Sequence, residues 1–241
     1  MPLTLTQHTT SAVPIEVEGV LPERIAELSP GEIERLPVLH GNRRTPLGEF
    51  FRAAGDASDL QLEWVGDLSG VHRIGAGMTT GRIRVDGCAG RHLGSAMTGG
   101  EIIVAGDAGD WLGAEMRGGA VHVHGDAGDC VGAAYRGARR GMAGGTIFIH
   151  GRAGHELGHS MRRGLIAVAG DAGEFAGFHM LAGSIFVFGR VGLRCGAEMR
   201  RGTIALLGPH APALLPTFRF ACRFRPPMLP LQLAGLRRAG L

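Results

Sequence analysis

Between Arg82 and Gly208 the apolar positions alternate in short runs that give way each time to glycine-rich turns. Each run carries two aliphatic residues two apart: Ile83 and Val85, Ile102 and Val104, Val121 and Val123, Ile147 and Ile149, Ile166 and Val168, Ile185 and Val187, Ile204 and Leu206. Period-two alternation in mostly β-branched residues predicts strands with one face inward. The glycine closing each run falls at Gly87, Gly106, Gly125, Gly151, Gly170, Gly189 and Gly208, in steps of 19, 19, 26, 19, 19 and 19. A second column keeps the same register: Met78, Met97, Met116, Tyr135, Met161, Met180 and Met199. Met142 stands 19 residues before Met161, so the long step holds an insertion between Tyr135 and Met142.

Identical short strands separated by corners bury their inward side chains only by stacking coil on coil. Parallel stacking puts equivalent residues about 4.8 Å apart, which turns the Ile, Val and Met columns into interior ladders. Regularly spaced glycines mark the tight corners. The prediction is an all-β parallel β-helix over residues 60–208, with about seven to eight coils of 19 residues, the first one imperfect. Residues 1–59 read as a small α/β cap, with a helix start at Ser29-Pro30-Gly31-Glu32. Such caps cover the end of a solenoid. Residues 209–241 lose the period and read as an extended docking tail, laid along the solenoid or against another chain.

Composition adds little to this. With 241 residues and 44% apolar content the chain can bury one elongated core. Net charge is +3, and all 25 basic side chains are arginine. Neither that mild balance nor the few aromatics point to nucleic acid. No signal-peptide pattern and no long apolar window occurs, so a cytoplasmic protein with no membrane partner is expected. Cys88, Cys130, Cys195 and Cys222 form no C-x-x-C pair and are expected to be buried free thiols.

Several groups converge under coil stacking. His124 and His150 share a phase in adjacent coils, with His122 on the same outward face. Two imidazoles about 5 Å apart could ligate a metal, but no third ligand stands nearby, and an outward polar stack is the expectation. Asp107, Asp110, Asp126, Asp129 and Asp171 are expected to bond their own turns. Arginines follow the methionine column: Arg117, Arg136 after Tyr135, Arg162, Arg163, Arg200 and Arg201, joined by Arg139 and Arg140 in the insertion. Like charges along one edge ask for solvent or an anionic partner. Outward strand positions include Ile103, Phe148, Phe186, Phe188 and Leu207, an apolar face that the tail or another chain must cover. Phe218, Phe220 and Phe224 alternate with arginines in the tail and join that candidate protein interface. No nucleophile–base set, phosphate loop or metal motif appears, so no catalytic residue and no bound cofactor or metal is assigned.

The repeat GGEIIVAGDAGDWLGAEMRGG, its interruption RGARRGMAGG, the entry segment AVPIEVEGVLPERIAEL with LHGNRRTPLGEFF, and LLPTF after the last coil resemble the C-type subunit of formylmethanofuran dehydrogenase. That resemblance covers nearly the whole chain. The glycine repeat by itself is also similar to the C-terminal domain of the glutamate synthase large subunit. The resemblance implies a right-handed β-helix subunit within a larger complex. In methylotrophic bacteria such relatives belong to a formyltransferase/hydrolase complex, which passes a formyl group from tetrahydromethanopterin to a methanofuran-type carrier and releases formate. In methanogens they belong to a molybdenum or tungsten formylmethanofuran dehydrogenase.

It further implies partners: a formyltransferase subunit, a zinc amidohydrolase-like subunit and a dehydrogenase-like B-type subunit, with all metal on those chains. The arginines could then face an acidic partner or the glutamate-rich tail of the carrier. Two rivals differ in class. A glutamate-synthase-type spacer would be expected behind a fused glutaminase and synthase. A β-helix acyltransferase would want a hexapeptide period and a catalytic histidine between coils.

Overall fold

The computed structural model describes residues 2–210, 212–227 and 229–238. Strand β1 (Leu3–Gln7) opens the chain, followed by β2 (Ile15–Glu16), the short helices α1 (Pro22–Ile25) and α2 (Pro30–Glu34), and strands β3 (Pro37–His40), β4 (Arg43–Pro46) and β5 (Phe51–Ala54). The repeats then supply β6 (Gln61–Val65), β7 (Val71–His72), β8 (Arg82–Asp86), β9 (Glu101–Val104), β10 (Arg117–Val123), β11 (Ala143–Ile149), β12 (Arg163–Val168), β13 (Ser184–Val187) and β14 (Thr203–Leu206). Helix α3 (Leu229–Arg238) closes the chain.

Eight strands, β6 and β8 through β14, stack in parallel and in sequence order, one per coil. Their register keeps the alternating residues in line. Leu62, Ile83, Ile102, Val121, Ile147, Ile166, Ile185 and Ile204 are successive partners, as are Trp64, Val85, Val104, Val123, Ile149, Val168, Val187 and Leu206. All but the last coil's pair are essentially inaccessible to solvent. A second face is held by single bridges linking Leu68, Ala89, Ala108, Ala127, Ala153, Ala172 and Val191. Small side chains there let the narrow corner close over the core. The expected parallel β-helix is therefore present.

The N-terminal segment forms one continuous core with the coils. Strand β1 extends the ladder beyond β6 in parallel, and β5 then pairs with β1 antiparallel. Reversing direction at that edge ends the series. Helix α2 starts where the sequence places it, with Glu32 Oε2 accepting from the Ser29 amide at 2.9 Å.

The insertion departs from the expected columns. Met142 donates its amide to the Gly132 carbonyl at 2.8 Å, as Met116 does to Gly113 and Met161 to Gly158. Met142 is fully buried and holds the interior ladder position, whereas Tyr135 sits half-buried on the outside with the loop 136–140 exposed beyond it. A phenol fits that position better than the dry methionine ladder, because its hydroxyl needs a partner.

The third face shows what the glycine pattern did not. At Arg73, His92, Trp111, Cys130, Glu156, Phe175 and Arg194 the chain takes φ between 57° and 63° without glycine. Each of the first six donates its amide to a carbonyl of the next coil, Trp111 to Asp129 at 2.8 Å for example. Inter-coil bonds repeated at every rung over-determine a left-handed conformation that costs about 1–2 kcal/mol in isolation.

Candidate interaction surfaces

The outward face of the stacked strands is divided between two environments. Register aligns Glu63, Arg84, Ile103, His122, Phe148, Ala167, Phe186 and Ala205 as one outward column. The first half is polar: Arg84 pairs with Glu63 at 3.6 Å, and Arg82 with Glu101 at 2.7 Å. Over the second half lies α3, whose Leu236 packs into a cluster with Phe148, Ala167 and Phe186, joined by Leu229, Leu233, Leu165, Phe188 and Ala205. Phe186 is fully buried and Phe148 nearly so. The face expected to need cover by the tail or another chain is thus covered from Phe148 to Ala205 by the chain's own tail. The cover is a helix, where the sequence pattern predicts an extended segment throughout. Ile103, half-buried, and Leu207, 38% exposed, lie outside that cluster.

Phe218 lies against Gly196 near Ile204, over the last coil, and remains 42% exposed. Phe220 and Phe224 stand clear of the chain at 85% and 67% exposure. Leu193 and Leu214 are also exposed at this end.

The arginine edge is less regular than the sequence column implies. Backbone bonds to the methionine carbonyls place Thr98, Arg117, Ala143, Arg162, Leu181 and Arg200 at equivalent corners. Ala143 occupies the rung assigned from sequence to Arg136, which instead lies in the exposed loop with Arg139 and Arg140. Guanidiniums therefore recur on every second coil, about 10 Å apart, which lowers their mutual repulsion. Among the described residues, none of Arg117, Arg136, Arg139, Arg140, Arg162, Arg163 or Arg200 has a carboxylate within salt-bridge reach. Elsewhere Arg73, Arg82, Arg84, Arg91, Arg152 and Arg194 are each paired.

The aspartates prove structural in a way the sequence did not show. They cap the next coil rather than their own turn. Asp107 accepts from the Asp126 amide at 2.7 Å, Asp126 from Arg152 at 2.7 Å, and Asp171 from Arg190 at 2.6 Å. In a parallel column His72 accepts from Arg91, Asp110 from Asp129, Asp129 from His155, and His155 from Glu174, at 2.7 to 3.0 Å. The Arg152 amide, joined by its guanidinium, holds the Asp126 carboxyl below its usual range. Burial, reinforced by the Arg91 charge, depresses the His72 imidazole.

His124 and His150 stack with ring centroids 4.7 Å apart, and His122 lies 4.8 Å from Phe148 and 4.0 Å from Glu101. Among the described residues no three groups stand close enough to hold a metal ion. Beside the insertion, Trp111 stacks on Tyr135 at 5.1 Å, and His92 Nδ1 lies 2.9 Å from the Tyr135 hydroxyl. Burial raises the Tyr135 phenol and lowers the His92 imidazole, so both stay neutral near pH 7. All four cysteines are free. Burial, then neighbouring Glu156, Asp129 and Asp110, pushes the Cys130 thiol up to about 11, and burial alone pushes Cys195 to about 11. Of the four expected to be buried only Cys195 is; Cys88 and Cys130 are half-buried at the coil corners, and Cys222 is exposed because its segment stands off the solenoid. Neither Cys130 nor Cys195 is an activated nucleophile.

Among the described residues, the fold and these surfaces define a parallel β-helix with an apolar interior, and a surface that carries arginines without a carboxylate partner and exposed phenylalanines. No family model matches the chain. It is 36% identical to a chain of the formyltransferase/hydrolase complex from Methylorubrum extorquens, solved with methylofuran, covering 98% of this chain and 88% of that one with a TM-score of 0.90. Over 87 residues it is 40% identical to the C-type subunit of tungsten-containing formylmethanofuran dehydrogenase 2 from Methanothermobacter thermautotrophicus, which is 34% of this chain and 32% of that protein. Over 82 residues it is 42% identical to the C-type subunit of molybdenum-containing formylmethanofuran dehydrogenase 1 from Methanothermobacter marburgensis, 34% of this chain and 20% of that protein. The chain thus spans a third or less of the curated relatives it matches. It belongs to the family of formylmethanofuran dehydrogenase C-type subunits.

Proposed function

We propose that this chain is a non-catalytic scaffold subunit of a cytoplasmic formyltransferase/hydrolase complex. That complex passes a formyl group from tetrahydromethanopterin to a methanofuran-type carrier and releases it as formate. The observation that carries this reading is the likeness to a chain of the methylofuran-bound complex, 36% identical along 98% of this chain with a TM-score of 0.90. The site chemistry agrees with a scaffold: raised Cys130 and Cys195 thiols, depressed His72, His92, His122 and His150 imidazoles, and carboxylates engaged in holding coils together. Among the described residues no helix is long and apolar enough to cross a membrane. Metal and catalytic groups would reside on the formyltransferase, amidohydrolase-like and dehydrogenase-like B-type subunits.

In this reading the unpaired Arg117, Arg136, Arg139, Arg140, Arg162, Arg163 and Arg200 face carboxylates of a partner subunit or of a glutamate-rich carrier tail. Ile103, Leu207, Phe218, Phe220 and Phe224 supply apolar contact at subunit interfaces, with Phe148, Phe186 and Phe188 supporting α3 beneath. The test is purification of the tagged chain from its own cell extract, with subunit identity and metal content determined. Formyltransferase and zinc amidohydrolase-like subunits in fixed ratio are expected. A molybdopterin or tungstopterin partner would move the assignment to the dehydrogenase, and a lone metal-free monomer would overturn the scaffold reading.

A further inference from the structure

The segment from Phe218 to Arg225 has the sequence of a strand and none of a strand's partners. Phe218, Phe220, Cys222 and Phe224 alternate with Arg219, Ala221, Arg223 and Arg225, which in an extended chain puts the phenylalanines on one face and the guanidiniums on the other. Pro226 and Pro227 end it and bias Arg225 toward extended backbone. Among the described residues no hydrogen bond involves the backbone of Arg219 through Arg225, and every residue from 216 to 225 is exposed. The segment is tethered at both ends, by Phe218 against Gly196 and by α3 on the outer sheet face.

Charge says what is missing. No acidic residue follows Glu198, while seven arginines do: Arg200, Arg201, Arg219, Arg223, Arg225, Arg237 and Arg238. A like segment from a second copy would set arginine opposite arginine. We infer that residues 218–225 are a latent β-strand that adds to the exposed sheet edge of an acidic partner subunit, Phe220 and Phe224 entering an apolar groove and the arginines meeting carboxylates. This rests on the scaffold reading, and the experiment separates the two.

The chain is mixed with its purified formyltransferase, amidohydrolase-like and dehydrogenase-like B-type subunits, and amide hydrogen exchange is followed at single-residue resolution in the free and assembled states. Alternate amides between 218 and 225 are expected to slow by at least about tenfold on assembly, because an added strand pairs along one edge. Replacing Arg219, Arg223 and Arg225 with Glu is expected to weaken assembly at least about tenfold without changing the melting temperature, since all three side chains are exposed in the free chain. Assembly with no protection of 218–225, or with the charge-reversed chain binding as well as the original, overturns the strand inference and leaves the scaffold reading intact. Failure of the unaltered chain to assemble overturns both. Protection that rises with concentration in the chain alone would give the edge to a second copy instead, against the inference.

Discussion

At Asp126 one carboxylate joins two coils, accepting from the Arg152 amide and lying 3.1 Å from its guanidinium. Replacing it with Ala removes the acceptor and is expected to cost about 1 kcal/mol, with Asn costing less because it keeps an amide oxygen at Oδ1. Urea midpoints at fixed slope measure this, and an unaffected Asp126→Ala variant would contradict the inter-coil role. Half-buried histidines elsewhere on the coils join Asp126 in setting a pH dependence. Asp126, His72, His92, His122 and His150 all have depressed pKa values in the folded chain, the histidines chiefly through burial. A depressed group stabilises the fold above its unfolded pKa and loses that contribution as the pH falls through its folded value. The melting temperature is therefore expected to hold above pH about 7, fall as the histidines protonate below about 6.5, and fall again in the acid range as Asp126 protonates. A melting temperature flat from pH 8 to 5 would contradict the histidine part.

At the scale of the coil, the strands were legible because Ile-x-Val alternation specifies which face is inward, and the 19-residue step specifies which residues stack. The corners were only half legible. Gly118 was predictable as a corner glycine, and the structure gives the reason: a Cβ there would meet the Thr98 carbonyl of the preceding coil. Gly118→Ala is accordingly expected to destabilise the chain severely, whereas Gly137→Ala, in the open insertion loop where no atom lies within 4 Å, meets only backbone strain of about 1–2 kcal/mol at φ 87°. Trp111 and Cys130 gave no warning of their left-handed backbone, since that conformation is imposed by bonds to the next coil. Spacing alone offered both Tyr135 and Met142 for the ladder, and what decides is the amide of Met142 reaching Gly132. Met142→Ala should cost about 2–5 kcal/mol and Tyr135→Ala distinctly less; equal losses in thermal unfolding would contradict the assignment.

For the whole molecule, the sequence could place an apolar outer face at Phe148 and Phe186 but not say which chain covers it, because the residues of α3 carry no repeat that ties them to a coil. Helix α3 settles that face in cis. Truncation before Leu229 is expected to leave the coils folded while exposing Phe148 and Phe186, so the shortened chain should self-associate in sedimentation and bind an apolar dye. A monomeric, dye-free truncation would show that α3 is not the cover. Among the described residues, Arg117, Arg136, Arg139, Arg140, Arg162, Arg163 and Arg200 then remain without a carboxylate partner, and Phe220 and Phe224 remain exposed.

The most direct measurement is the mass and formate release of a mixture of the purified formyltransferase, amidohydrolase-like and dehydrogenase-like B-type subunits, supplied with formyl-tetrahydromethanopterin and carrier, with and without this chain. The scaffold account predicts no turnover by this chain alone, and a single large species with strongly raised formate release when it is present. Turnover by the isolated chain, or full assembly and activity in its absence, would contradict it.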